Sequence, residues 1–202
     1  MDIGLYNMKY SARKWISGVL PLMKNGNPNT VSWSMIPVGA GIAACYYFAA
    51  QGQNVLYLAA SVLTFLRMYL GTLDGLMAEY YQKGTRQGEI INRLTPELCD
   101  VMYLLALILA HPELRLLGIT VLAIAWMTTF SGLVGLTVQK KIQSVGPVGQ
   151  TDRLAALLVF TLLQYVSNQF HWNINFIQFF MIWAILGGIL TIILRLKRSL
   201  DH

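Results

Sequence analysis

Asp74 and Gly75 open a polar stretch, LDGLMAEYYQKGTRQGEIINRLTPELCD (residues 73–100), inside an apolar chain. Ionisable side chains at membrane depth are costly to bury, so those present are functional candidates. Residues spaced by three and four share a helix face, which aligns Arg67, Gly71, Asp74 and Ala78. Gly88, Asn92, Pro96 and Asp100 then recur at every fourth position, with Arg93 and Glu97 beside them. Two antiparallel helices joined near Gly84, rising about 1.5 Å per residue, put Asp74 roughly 10 Å in from the helix end. At that depth it is level with the Asn92–Pro96 turn, while Arg67 is level with Asp100. Arg67 and Asp100 are therefore a candidate buried ion pair. Asp74 finds no partner at its own depth, which makes it the better candidate for chemistry. Gly71, Gly75, Ala78 and Gly88 admit two readings: close helix packing, or room for a ligand against bare backbone.

The elements that must position these residues follow from composition. Of 202 residues, 55% are hydrophobic and only 12% charged, and the mean hydropathy is +0.52. Runs of about 20 apolar residues can each cross a hydrocarbon core of roughly 30 Å, and helix is the default there because it satisfies its own backbone. Six spans are expected, at roughly 31–50, 54–80, 88–110, 114–137, 153–170 and 174–195. The fold class is thus all-α: a polytopic bundle of six transmembrane helices, core 31–195, in a single membrane domain over 1–202. Within residues 1–24, Met8, Ala12, Trp15, Val19 and Leu22 make an apolar stripe that Lys9, Arg13, Lys14 and Lys24 avoid. Such a segment reads as an amphipathic helix in the membrane interface, or as a soluble helix packed on the protein. Asn29 or Thr30 is positioned to cap the first span. The first 23 residues lack the charged, apolar, small-residue order of a cleavable signal.

Lys and Arg concentrate in the N-terminal segment, in the links after spans two and four, and in the tail. Arg115 alone falls on the opposite side. The positive-inside rule makes the basic face cytoplasmic, with both termini inside an integral protein of a cytoplasmic or inner membrane. The net charge of +6 then suits anionic headgroups or phosphorylated substrates and requires no nucleic acid. Cys45 and Cys99 read as small buried residues, and His111, His171 and His202 form no ligand set.

The polar stretch resembles the signature of the CDP-alcohol phosphatidyltransferases, D-x2-D-G-x2-A-R-x8-G-x3-D-x3-D. Asp74, Gly75, Ala78 and Gly88 fall at the second Asp, the first Gly, the Ala and the second Gly, with spacing kept. NPNTVSW before the first span looks like the Pro-Asn turn that opens this family's first helix. GPVGQTDRLAALL (146–158) is similar to a Gly-rich segment entering the fifth helix in one bacterial branch. The resemblance implies transfer of a phosphatidyl or phospho-alcohol group from a CDP-activated lipid donor to an alcohol acceptor, with release of CMP, in phospholipid biosynthesis. It also implies Mg2+ or Mn2+ on the CDP pyrophosphate and a homodimer among membrane lipids. Asp74 and Asn92 become metal candidates; Gly75, Ala78, Gly88 and Arg153 become substrate-binding candidates. Arg153, with the Gly146–Gly149 turn and a helix N-terminus, reads as an acceptor-phosphate site or as a positive-inside anchor.

The departures concern the acids. Gly71, Glu79, Asn92 and Pro96 stand where the signature has Asp, Arg, Asp and Asp, so one of four signature carboxylates remains. The resemblance to the bacterial branch implies that Asn92 and Asp100 are branch features, while Pro96 remains a departure. Phosphoryl transfer needs hard oxygen ligands around the metal and a base for the attacking hydroxyl, and Asp74 alone does not supply both. Glu97 and Asp100 are the candidate catalytic replacements. Pro96 either kinks its helix or leaves the Asn92 carbonyl open as a ligand. Glu79 and Glu89 flank the mouth, on a solvated surface. An altered transferase and a non-catalytic relative that binds lipid, nucleotide or a partner protein are both consistent with these residues. A small transporter is disfavoured, because matched broken helices are missing.

Overall fold

The computed structural model describes residues 13, 16–138 and 142–200. All regular structure among them is helical, with six long helices. These are α1 (Pro28–Ala50), α2 (Leu56–Tyr80), α3 (Arg86–Ala110), α4 (Arg115–Val134), α5 (Gln150–Gln169) and α6 (Phe176–Leu200). Four helical segments are long and apolar enough to cross a membrane: Pro28–Ala50, Leu56–Tyr80, Pro112–Val138 and Phe176–Leu200. The expected interfacial helix over 1–24 lies largely outside the described residues. Its described end, Ser17–Met23, is a 3₁₀ helix that buries Leu20. Lys140 and Lys141 also lie outside them. The helices form two compact units, Asn7–Ala110 and one built on His111–His202.

In the first unit, α1 packs against both α2 and α3, while α2 and α3 touch only sparsely. The burial pattern on α1 explains this. Val31, Ser32, Met35, Gly39, Ile42, Tyr46 and Ala49 are buried, a stripe at spacings of three and four. Close approach rests on small residues. A Cβ on Gly39 would sit 2.8 Å from Cys99 Sγ and 3.2 Å from Cys99 Cα, so α1 and α3 meet nearly backbone to backbone. Cys99 is fully buried, and its Sγ donates to the Met35 carbonyl at 3.1 Å. A Cβ on Gly71 would come within 3.3 Å of Met35 Sδ, so this position serves packing between α2 and α1. The outward faces stay apolar, as with Phe65, exposed by 64%, and Leu109, exposed by 63%. Such surfaces fit lipid rather than water.

The cap of α1 is Asn27, not Asn29 or Thr30. Its side chain accepts from Asn29 N at 2.9 Å, and Pro28 occupies the first helical turn. Proline is preorganised for that position and loses no helical hydrogen bond there.

In the second unit, α6 packs on both α4 and α5. A Cβ on Gly188 would lie 2.3 Å from Ile124 Cγ2, and one on Gly187 the same distance from Val148 Cγ2. Polar ties bind the turn before α5 to its neighbours. Val148 N donates to Thr191 Oγ1 (3.0 Å), and Gly149 N donates to Asp152 Oδ2 (2.8 Å), which caps α5. Arg195 donates through Nε to the Val145 carbonyl (2.9 Å) and through Nη1 to the Thr128 carbonyl (2.5 Å). Counted among the basic tail residues by sequence, Arg195 is instead a buried strut.

Candidate functional site

The first unit carries a cleft of about 490 Å³. Pro28, Asn29 and Ser32 come from the start of α1, and Asp74, Gly75, Ala78 and Glu79 from the end of α2. Lys83, Gly84 and Thr85 form the turn, and Arg86, Gly88, Glu89 and Asn92 come from the start of α3. Two helix N-termini thus border the cleft, an arrangement that favours negative charge.

Asp74 lies at the buried end of this wall, 2% exposed. Ser32 Oγ donates to its Oδ2 at 2.5 Å, and Gly75 N donates to its Oδ1 at 2.6 Å. Its missing partner therefore comes from α1, a helix that a depth reckoning along α2 and α3 does not include. The glycines divide by role. A Cβ on Gly75 would meet nothing within 4 Å, so this position leaves open space. A Cβ on Gly88 would lie 2.6 Å from Asn29 Oδ1, so Gly88 lets α3 approach α1.

The two glutamates lie on the solvated surface, as expected, and each has an ion-pair partner there. Glu79 is ion-paired with Arg13, and Glu89 with Arg93 at 2.8 Å. The turn is anchored to the segment before α1. Lys83 Nζ donates to the carbonyls of Lys24 (2.7 Å) and Gly26 (2.9 Å), and the Tyr81 hydroxyl donates to that of Leu20 (2.5 Å).

Of the residues singled out by sequence, Asp74, Gly75, Ala78, Gly88 and Asn92 are brought together in this cleft. Glu97 and Asp100 do not line it. Asp100 is fully buried, with Oδ1 3.2 Å from Arg67 Nη2. The same Nη2 donates to the Pro96 carbonyl at 3.0 Å, and α3 runs unbroken through Pro96. Arg153 belongs to the second unit, where it is 2% exposed and donates to Thr128 Oγ1 at 3.0 Å. A solvated anchor would be exposed; this side chain is packed. Sequence reasoning missed Ser32, whose only signal was a hydroxyl one turn after Pro28, and it treated Lys83 and Arg86 only as topology markers.

The backbone can be set beside known proteins. No family model matches the chain. A crystal structure of Mycobacterium tuberculosis phosphatidylinositol phosphate synthase, in complex with manganese and citrate, superposes with a TM-score of 0.71 at 14% identity, over 95% of this chain and 92% of that one. The chain has the fold of this synthase. A second relative is inner membrane protein YnbA of Escherichia coli (strain K12), 30% identical over 122 residues. That match covers 60% of this chain and 61% of YnbA, so it spans less than two thirds of the relative. With its apolar helices, the chain is a membrane protein.

The synthase was solved with manganese, which makes the donor set here the relevant comparison. No group of three or more His, Cys, Asp or Glu side chains able to hold a metal occurs among the described residues. A divalent pair wants several hard anionic oxygens. Asp74, with neutral Asn92 and a Ser32 hydroxyl already donating, offers one carboxylate. These residues do not fit a metal pair.

Proposed function

We propose that this chain is a membrane protein on the CDP-alcohol phosphatidyltransferase plan, and that its cleft binds a CDP-activated lipid through the cytidine diphosphate headgroup. One observation carries the reading: Asp74, Gly75, Ala78, Gly88 and Asn92, spaced as in the signature, line one cleft in a chain with the fold of a phosphatidylinositol phosphate synthase. In this reading all six long helices cross an inner membrane, the cleft opens to the cytoplasm, and the chain works as a homodimer. The basic links support that orientation.

A second reading, transfer of the lipid's phosphatidyl group to a hydroxyl acceptor with release of CMP, is favoured by the buried Asp74. Its requirements are a base and a metal grip, and Glu97 and Asp100 lie off the cleft. Binding without transfer is therefore the function the geometry supports best.

Purified protein in detergent, offered a panel of CDP-activated lipids with Mg2+ or Mn2+, separates the two. Saturable binding without CMP release is the expected result. Metal-dependent CMP release that Asp74→Asn abolishes would assign the transferase instead. Failure of every donor to bind would sink both readings. Gly75→Leu is expected to weaken CDP binding by at least about tenfold, or about 1.4 kcal/mol. The same variant leaves the melting temperature within about 2 °C, because its side chain enters open cleft rather than packed core.

A further inference from the structure

The cleft's charges are arranged differently from those of a metal site. An empty site built for divalent ions presents unpaired anions that the ion neutralises. Here the two exposed glutamates at the mouth already have cationic partners, Glu79 in Arg13 and Glu89 in Arg93. Asp74 remains, and two donors already hold its oxygens. Against it stand Lys83 and Arg86, both lining the same cleft. Lys83 is held in place by its two carbonyl bonds and has no carboxylate among those partners. Arg86 is exposed and opens α3, so its guanidinium adds to the favourable end of a helix dipole. With Arg13 and Arg93 counted as the partners of the two glutamates, four cations (Arg13, Lys83, Arg86 and Arg93) face three carboxylates (Asp74, Glu79 and Glu89), an excess of one positive charge that favours an anion over a free divalent cation.

We infer that the cleft takes a diphosphate-bearing ligand without a divalent cation, with Arg86 and Lys83, which line it, supplying the countercharge that a metal would. This rests on the proposed binding of a CDP headgroup but adds its countercharge and its independence from metal. Arg86 is the better probe of the two. Lys83 also ties the turn to the segment before α1, so its loss disturbs structure and charge together. Guanidinium groups bind phosphate oxygens through paired N–H donors.

The test is calorimetric titration of the full-length protein in detergent with CDP, in EDTA and in Mn2+. Affinities that agree within about threefold support the inference, as does a loss of about tenfold in Arg86→Ala under EDTA that Arg86→Lys partly restores. Asp74→Asn is expected to hold or strengthen binding in EDTA, since it removes a like charge. CDP binding that collapses in EDTA, or stoichiometric capture of Mn2+ by the ligand-free protein in electron paramagnetic resonance, would overturn it. If CDP binds in neither condition, the cytidine reading fails, and inorganic pyrophosphate decides the rest. Pyrophosphate binding in EDTA that Arg86→Ala weakens upholds a metal-free anion cleft, and its absence refutes it.

Discussion

Arg67→Ala and Asp100→Ala are each expected to destabilise the protein by about 3–5 kcal/mol, because each leaves a buried charge without its partner. The Arg67 side chain is 6% exposed and that of Asp100 is 0% exposed. Arg67 Nη2 bridges two groups of α3, the Asp100 carboxylate and the Pro96 carbonyl. It thereby connects α2 to α3 where the two otherwise touch sparsely. Thermal unfolding in detergent reads the effect. Asp100→Asn keeps the volume but removes the charge, and it should fall near the Asp100→Ala value. The double alanine variant should cost less than the sum of the singles, since it removes both ends of one interaction. Strict additivity would refute the coupling.

Gly146→Ala carries the second large effect, in the other unit. Gly146 has φ +116°, a conformation that glycine reaches without strain and alanine does not. Space is also missing: a Cβ there would lie 2.6 Å from Thr191 Cγ2, 2.7 Å from its Oγ1 and 2.9 Å from its Cα. Side-chain atoms can turn aside, but the Thr191 Cα cannot without moving α6. Strain of about 1–2 kcal/mol and overpacking of about 1–3 kcal/mol act together. The expected result is a fall in melting temperature on the order of 10 °C. Thr191 Oγ1 accepts from Val148 N, so the displacement also strains the entry to α5. Adding Thr191→Ala should recover only part of the loss, because the backbone contact remains. A Gly146→Ala variant that melts within about 2 °C of the parent would show that this turn rearranges freely.

Much of the helical frame was legible in composition. Apolar runs predicted six membrane spans; six long helices are present among the described residues, and four helical segments are long and apolar enough to cross a membrane, with ends shifted by a few residues where Pro28 or the Gly149–Asp152 cap sets them. The pairing of Arg67 with Asp100 followed from rise per residue alone, because two antiparallel helices with a short link have their depths linked by arithmetic. The same arithmetic failed for Asp74. Its partner, Ser32, is 42 residues away on a helix that the calculation did not contain.

Residue type and spacing were enough to say which side chains are too polar for lipid, and to put Asp74, Gly75, Ala78, Gly88 and Asn92 on neighbouring helix ends. These follow from local periodicity and the cost of burying charge, both properties of one segment at a time. Tertiary structure decided what each polar group meets. It turned Asp100 toward Arg67 and away from the cleft, paired Glu79 with Arg13, and buried Arg195 against the carbonyls of Thr128 and Val145. It also divided glycines of one apparent kind into packing positions at Gly71 and Gly88 and an open one at Gly75. Those outcomes depend on which helices lie side by side, and that depends on the summed packing of whole helix faces rather than on any one motif.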